Sequence, residues 1–294
     1  MAEDSHAAAV VGATGFIGTA LSRELETRGV RVIRVTADEP ATRDGLSLRP
    51  DMRAVSTVYW AASRINPQIA AERPDLVAQD LADFRAFQSA AARQIPDATI
   101  VLLSSGGTVY GSAQPPHSES TTPRPTSDYG RSKLELERLL GRGGTRSVIV
   151  RVSNAYGPGQ PPAPGQGVIG HWLRALLHQE PVTVFGDLKT VRDYVFVSDV
   201  VDLLARLHGS VEVPEILNVG SGTPTPLATV VDAIHTVVGN RHLEIEFEPR
   251  RPFDLPAAWL DVSLAAERLG WSATTELTDG VTQMWSWLCS PAVR

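Results

Sequence analysis

The stretch that decides the fold is Val10-Val11-Gly12-Ala13-Thr14-Gly15-Phe16-Ile17-Gly18. An apolar run leads into three glycines at three-residue spacing, and apolar residues at helical spacing follow. Gly12 permits a tight turn, Gly15 lets the main chain approach a pyrophosphate, and Gly18 allows a helix to pack closely on a strand. Between a strand and a helix, this pattern predicts a dinucleotide-binding turn. The expected cofactor contacts are completed by Thr14, Phe16 and Ile17 of the turn and by Ala61 and Ala62 after a later strand.

Strand-like and helix-like segments alternate along the first half of the chain. The alternation predicts an α/β fold, a Rossmann-type doubly wound parallel sheet with helices on both faces. After residue 155 the sequence composition changes, and turn-forming residues become frequent. We therefore predict a dinucleotide-binding domain at 1–154 and a mainly substrate-binding portion at 155–294, with some segments returning to the first domain. The underlying segments are strands at 7–11, 30–35, 55–61, 99–103 and 147–152, and helices at 15–29, around 70–93 and at 129–140.

A second motif, Tyr129-Gly130-Arg131-Ser132-Lys133, opens the last of these helices. Because Tyr129 and Lys133 are four residues apart, they share one helix face. A free tyrosine has a pKa of about 10 and is a poor acid–base catalyst at neutral pH, but a neighbouring lysine cation favours the phenolate. Behind a dinucleotide turn, the pair predicts hydride chemistry. Tyr129 would move a proton to or from a carbonyl or carbinol oxygen, while Lys133 would hold the nicotinamide ribose.

The end of the second strand bears on which nicotinamide cofactor is used. An acidic residue there would bind the adenine ribose and favour NAD, but this strand runs into Thr36. Thr36 tolerates a 2′-phosphate, with Arg34 or Arg43 as its counter-charge, so NADP(H) is slightly favoured over NAD(H). Two alternatives stay open: Asp38 could turn in and restore NAD, and the two arginines could be ordinary surface residues.

Composition narrows the classes of partner. The chain has 294 residues, 43% of them hydrophobic, and a formal net charge of −6. No basic block indicates a nucleic-acid partner, and no apolar run approaches the roughly 20 residues of a membrane span. The single cysteine, Cys289, excludes an internal disulfide. Together with a polar N-terminal segment that lacks the features of a signal peptide, this favours a cytoplasmic protein with no membrane partner.

With both motifs in place, the chain resembles the extended short-chain dehydrogenase/reductases, the family of nucleotide-sugar epimerases and dehydratases. The resemblance covers nearly the whole chain and rests on several ordered signatures. These are Leu103-Ser104-Ser105-Gly106-Gly107-Thr108-Val109-Tyr110-Gly111, Arg151-Val152-Ser153-Asn154-Ala155-Tyr156-Gly157-Pro158-Gly159-Gln160, Val191-Arg192-Asp193-Tyr194-Val195-Phe196, Leu217-Asn218-Val219-Gly220 and Arg251-Pro252-Phe253-Asp254.

The resemblance implies a nucleotide-sugar substrate and a set of residues that bind it. Asn154 is expected at the substrate pyrophosphate, and Arg192 and Arg251 at its phosphates, a task suited to the forked guanidinium. Asp254 either joins them or orients Arg251 through a salt bridge, and Gln166 is expected to line the sugar pocket. The resemblance also implies a homodimer formed through helices of the cofactor domain.

One position departs from the family pattern. Many members carry Ser or Thr where this chain has Gly106, and that hydroxyl helps the tyrosine polarise the sugar oxygen. Ser105 and Thr108 are neighbours able to substitute. If Gly106 faces the site, strand alternation favours Thr108, which would lie on the same side. Alternatively, both hydroxyls only satisfy the local backbone.

The family shares its parts among several reactions. Dehydratases need an acidic pair in the 106–108 region, where this chain has none, so dehydration is disfavoured. The best prediction is reduction of an NDP-4-keto-6-deoxyhexose. The alternative is an NAD-dependent UDP-hexose 4-epimerase, such as a UDP-glucose 4-epimerase. A remote alternative is a non-catalytic dinucleotide-binding regulator.

Overall fold

The computed structural model describes residues 7–163, 166–210, 212–239, 241, 243–251 and 254–291. Its strands in chain order are β1 Ala7–Val11, β2 Val32–Val35, β3 Val55–Trp60, β4 Thr99–Ser105, β5 Ser147–Val152, β6 Asn154–Tyr156, β7 Val182–Phe185, β8 Val191–Arg192, β9 Tyr194–Phe196, β10 Ile216–Val219, β11 Thr225–Pro226 and β12 Ile245–Glu248. Its α-helices are α1 Phe16–Thr27, α2 Pro67–Glu72, α3 Pro74–Gln94, α4 Asp128–Gly141, α5 Val168–His178, α6 Val197–Arg206, α7 Leu227–Val238, α8 Ser263–Leu269 and α9 Leu277–Leu288.

A six-stranded parallel sheet forms the centre of the fold, in the order β2-β1-β3-β4-β5-β10. From β1 the chain adds β2 at one edge of the sheet. It then crosses to the other side of β1 and adds β3, β4, β5 and β10 in turn toward the opposite edge. The strand order therefore reverses between β1 and β3, and ligands of such sheets bind outside the carboxyl ends of the strands at that point. The predicted Rossmann-type α/β fold is confirmed.

Alternating side chains of single strands build two cores, one on each face of the sheet. In β1, Ala8 and Val10 belong to the core under α1 and α6, whereas Ala9 and Val11 belong to the core under α3 and α4. Both sets are fully buried or nearly so. A strand apolar on both sides can exist only inside such a sandwich, which is why the continuous apolar run predicted it.

Two local boundaries differ from the expectations. The second strand begins at Val32 rather than at residue 30, and the helical stretch around 70–93 is two helices. Asn66 caps the first, because its side-chain oxygen accepts a hydrogen bond of 2.8 Å from the Ile69 amide. Pro74 begins the second, since proline fits the first turn of a helix and breaks the preceding one. The predictions for the N-terminal segment, Pro164, Gly165, Pro252 and Phe253 fall outside the described residues.

The second half of the chain contributes to both parts of the molecule. A third core contains α5, α7, α9 and the small β7–β12 pair. However, α6 and β10 join the central sheet and its α1 side. The division into two domains, with its boundary at residue 154 and its returning segments, stays a prediction. None of the described helices has the length and apolarity needed to cross a bilayer.

The packing of α1 on the glycine turn predicts opposite effects on the free energy of unfolding when two helical glycines are replaced by alanine. Glycine is less favourable than alanine inside a helix by about 1 kcal/mol. Gly141→Ala, where a Cβ meets no atom within 4 Å, should leave the free energy of unfolding unchanged or raise it. Gly18→Ala places a Cβ on the Gly12 carbonyl, so it should lower that free energy by about 2 kcal/mol or more. Urea denaturation of both variants measures the difference, and equal effects would contradict the close packing.

Candidate functional site

The glycine turn forms a cradle from which side chains are excluded. Gly12 has a φ of 87°, and a Cβ there would lie 2.7 Å from the Ala62 amide nitrogen. Gly15 caps α1 without a side-chain hydrogen bond, and the first turn carries no acidic residue. The first amide groups of α1 and its positive dipole end therefore face the turn, as pyrophosphate binding requires. The residues present fit a dinucleotide, with Ala61 and Ala62 against the turn as expected.

In the structure, the residues at the end of β2 are less suited to bind the 2′-phosphate of NADP than the sequence indicated. Arg34 forms a two-pronged ion pair with Glu26 of α1, at 2.9 and 3.0 Å, so its charge is already compensated. Thr36 is half-buried, and its hydroxyl accepts a hydrogen bond from the Glu39 amide. Arg43 is exposed and lines a surface notch together with Asp38, Glu39 and other residues.

The catalytic pair lies at the start of α4, whose first turn is held by Ser127. The Ser127 hydroxyl accepts a hydrogen bond of 3.1 Å from the Gly130 amide. Lys133 is buried, only 5% exposed, and its Nζ lies 5.6 Å from the centre of the Tyr129 ring. Tyr129 is half-buried and faces a large cavity. The predicted proximity of phenol and ammonium is therefore present.

One cavity of about 940 Å³ collects the expected residues from both halves of the chain. Phe16 and Ile17 bring the cofactor turn to its edge. Such a volume lies at the upper end of the range for small-molecule sites. Besides Tyr129, the lining includes Ser105, Thr108, Asn154, Gln166, Arg192, Arg251 and Asp254. Their convergence agrees with the residue-by-residue expectations, and their individual roles stay predictions.

The Ser105 and Thr108 hydroxyls line the cavity as expected, but strand alternation is not what brings Thr108 there. Strand β4 ends at Ser105, and residues 106–108 form a turn, so alternation does not extend to Thr108. Gly106 points away from the site, because a Cβ there would lie 2.7 Å from the Leu260 side chain. The premise that Gly106 faces the site is therefore wrong. The turn brings Thr108 back, and its hydroxyl donates a hydrogen bond of 2.9 Å to Ser105 Oγ.

The two arginines of the cavity have different surroundings. Arg192 donates to the carbonyl oxygens of Val191 and Leu255 rather than to a carboxylate, and burial lowers its pKa. Arg251 forms a two-pronged ion pair with Asp254, at 2.8 and 2.9 Å. This contact is the salt bridge that the sequence analysis gave as one of two alternatives for Asp254. The Arg251 guanidinium also lies 4.5 Å from the centre of the Phe185 ring. Among the residues that the structure describes, Arg192 therefore contributes a positive charge to the cavity that no contacting carboxylate offsets.

A buried ion pair that the sequence analysis missed lies behind Ser104, a residue that lines the cavity. Glu137 of α4 and Arg151 of β5 are 4% and 3% exposed, and Arg151 donates to both carboxylate oxygens at 3.0 and 2.7 Å. Burial acts to lower the pKa of Arg151, but the hydrogen bonds and charge of Glu137 outweigh it and raise the pKa. The available signal was the single arginine in the otherwise apolar run Val148-Ile149-Val150-Arg151-Val152.

No group of His, Cys, Asp and Glu side chains within the described ranges is arranged to hold a metal ion.

Comparison with known proteins gives a family match and full-length structural neighbours. A model of the NAD dependent epimerase/dehydratase family matches residues 8–220. A dTDP-4-dehydro-6-deoxyglucose reductase of Escherichia coli is 32% identical over 63% of this chain and 60% of its own length. A UDP-glucose 4-epimerase of Mycolicibacterium smegmatis is 36% identical over 66% of this chain and 63% of its own length. The matches thus span less than two thirds of these curated relatives.

Two solved structures cover almost the entire chain. MoeE5 in complex with UDP-glucuronic acid and NAD is 30% identical, with a TM-score of 0.84 over 96% of this chain and 98% of that one. The UDP-glucose 4-epimerase of Thermus thermophilus in complex with NAD is 27% identical, with a TM-score of 0.84 over 97% of this chain and 99% of that one.

The burial of the tyrosines generates a spectroscopic prediction. Burial raises the pKa of Tyr59, Tyr110, Tyr156 and Tyr194, four of the five tyrosines of the chain. In a titration of tyrosinate absorbance at 295 nm, these four should therefore ionise only above the ordinary tyrosine pKa of about 10, or together with unfolding. Tyr194→Phe should remove one residue from that late step. An absorbance change worth two or more tyrosines at lower pH, in the folded protein, would show that the buried rings are accessible.

Proposed function

The chain belongs to the NAD-dependent epimerase/dehydratase family, and from this membership and the geometry of its cavity we propose that it is an enzyme acting at C4 of a nucleotide-activated hexose. The observation that carries the proposal is the convergence, in one cavity, of the Tyr129 phenol with Arg192 and Arg251. A cavity that combines a proton-transfer group with two anion-binding arginines suits a substrate in which a sugar is joined to a diphosphate.

The proposed roles follow from the contacts of each side chain. Tyr129 takes the proton of the C4 hydroxyl when the sugar is oxidised and returns a proton when the carbonyl is reduced, with Lys133 stabilising its phenolate. Ser105 and Thr108, hydrogen-bonded to each other, orient the same sugar oxygen. NAD held at the glycine turn would supply the hydride acceptor and donor for C4.

The substrate phosphates are assigned to the other end of the cavity. Arg192 binds the diphosphate, because its charge is not offset by a contacting carboxylate. Arg251, oriented by Asp254, supports it. Asn154 and Gln166 supply further polar contacts to the diphosphate and the sugar. This division keeps the anionic part of the substrate away from the phenolate.

For the cofactor we favour NAD over the NADP preference that the sequence indicated. Arg34 is held by Glu26, and Asp38 and Glu39 line the notch next to Arg43. A 2′-phosphate at Thr36 would therefore meet carboxylates as well as an arginine. The NAD bound by two structural neighbours points in the same direction.

Among the reactions of the family we favour 4-epimerisation of a UDP-hexose. NAD suits a cycle that returns the hydride each turn, and a cavity of about 940 Å³ leaves room for a keto sugar to turn over. Gly107 and Thr108 supply no acidic pair for dehydration. Reduction of an NDP-4-keto-6-deoxyhexose, the first choice of the sequence analysis, is the second candidate, supported by the Escherichia coli relative. A cytoplasmic location and a homodimer also remain proposals.

The cofactor and the reaction can be tested together on the purified protein. Heat denaturation should release NAD, and the native protein should interconvert UDP-galactose and UDP-glucose with no cofactor added. If instead the protein carries no nucleotide and oxidises NADPH only when a dTDP-4-keto-6-deoxyhexose is supplied, the reductase replaces the epimerase.

Replacement of the phenol tests whether the chain is an enzyme at all. Tyr129→Phe should lower kcat by about 100-fold or more, because the proton-transfer group is lost. NAD binding, measured by calorimetry, should change little. A non-catalytic regulator would show no turnover in the wild type and the same NAD affinity in both forms. Tyr194→Phe, whose ring lies in the same cavity wall, serves as the matched control.

A further inference from the structure

A row of buried polar side chains crosses three neighbouring strands at the carboxyl edge of the sheet. Ser104 of β4 and Asn218 of β10 are both register partners of Arg151 in β5. All three face the α3/α4 side of the sheet, because the residues that flank them, such as Leu103, Val150 and Leu217, belong to the opposite core. All three are at most 7% exposed. This row lies where apolar side chains would otherwise continue the core.

Glu137 connects this row to the helix that carries the catalytic pair. Its carboxylate accepts three hydrogen bonds: from Ser104 Oγ at 2.5 Å and from Arg151 Nε and Nη2 at 3.0 and 2.7 Å. Glu137 lies four residues after Lys133 and eight after Tyr129, two turns along the same side of α4. Its tether to Ser104 ends next to Ser105, whose hydroxyl lines the cavity.

The network is costly for stability, which makes a purely structural role a poor account of it. Buried ion pairs are often no more stabilising than apolar residues of the same volume. Here, in addition, Arg151 Nη1 is buried and has no hydrogen-bond partner among the residues that the structure describes. The other side of Arg151 is fixed by stacking, since its guanidinium lies 4.7 Å from the centre of the Tyr110 ring. Tyr110 in turn donates a hydrogen bond of 2.7 Å to Asn218.

We propose that Glu137, held by Ser104 and Arg151, is a positioning residue that sets the rotation and height of α4, and so places Tyr129 and Lys133 relative to the Ser105 hydroxyl. The inference rests on the proposed function for its kinetic readout. Apolar packing holds a helix against a sheet but lets it rotate or slide by fractions of an ångström. Directional hydrogen bonds from two adjacent strands to one carboxylate prevent both movements.

The test removes the network without leaving a buried charge unpaired. Glu137→Leu combined with Arg151→Met keeps the net charge, so any change at Tyr129 comes from geometry rather than from an added or lost charge. The matched control is Glu135→Leu combined with Arg138→Met, the same substitutions at an exposed ion pair of the same helix. The test variant should lose about tenfold or more in kcat, since small misplacements of catalytic groups are costly. Its KM should stay within about twofold of the control.

A second readout does not need turnover. Lys133 is expected to hold the nicotinamide ribose, so calorimetry of NAD binding reports its position, and Lys133→Met gives the loss of affinity expected when the ammonium is absent. The network variant should weaken NAD binding in the same direction, while the control pair leaves the affinity unchanged. Unchanged kcat and unchanged NAD affinity in the folded network variant would overturn the proposal. So would an NAD affinity that Lys133→Met does not change.

Failure of the network variant to fold, and failure of the proposed function, can each be told apart from failure of this proposal. If the network variant does not fold, Ser104→Ala removes only the tether to β4 and keeps the ion pair. It should still lower kcat severalfold and weaken NAD binding, and a Ser104→Ala protein identical to wild type in both would contradict the proposal. If the wild type shows no turnover with any nucleotide sugar, the proposed function has failed, and the NAD affinities alone decide the role of Glu137.

Discussion

The site depends on one contact between main-chain atoms, that of the first turn of α1 with the carbonyl of Gly12. No side chain fits between them, since a Cβ on Gly18 would occupy the position of that oxygen. The contact places the amino end of α1 over the carboxyl end of β1, where the strand order of the sheet reverses. On its other side, α1 packs against α6, and Arg28, which caps the carboxyl end of α1, donates a hydrogen bond of 2.6 Å to Asp202 of α6. Because α6 directly follows the segment that carries Arg192, the same contact also bears on the substrate end of the cavity.

The electrostatics of the cavity show how a protein of net negative charge can present a positive site. The net charge of −6 is spread over a surface on which many arginines pair with carboxylates. In the cavity, by contrast, Arg192 donates its hydrogen bonds to carbonyl oxygens. A buried cation that is not paired with a carboxylate is unfavourable, and an anionic ligand would relieve that cost. The local arrangement of charges therefore bears more strongly on the sign of a ligand than the net charge does.

The sequence predicted the site well where chemistry is encoded in spacing, and poorly where it depends on turns and tertiary pairing. The glycine spacing and the four-residue interval from Tyr129 to Lys133 are local, so the tight turn at Gly12 and the proximity of the phenol to the ammonium were both predicted, while their roles stay predictions. The route of Thr108 into the cavity was not, because alternation holds only while the strand continues, and β4 ends at Ser105. The ion pair of Arg34 with Glu26 joins β2 to α1, and no pattern in either segment alone indicates it.

The row formed by Ser104, Arg151 and Asn218 illustrates why a Rossmann sheet can be both a rigid core and a catalytic wall. Toward their amino ends, β4 and β5 place apolar side chains on both faces, and Leu136 and Leu140 of α4 pack against them. Those contacts determine how far α4 lies from the sheet. Near the carboxyl edge the same face becomes polar, and the contact with α4 becomes a set of hydrogen bonds with definite directions. The change occurs at the level of Tyr129 and Ser105, which line one cavity. If both residues act on one substrate atom, as proposed, a defined orientation matters more there than added stability.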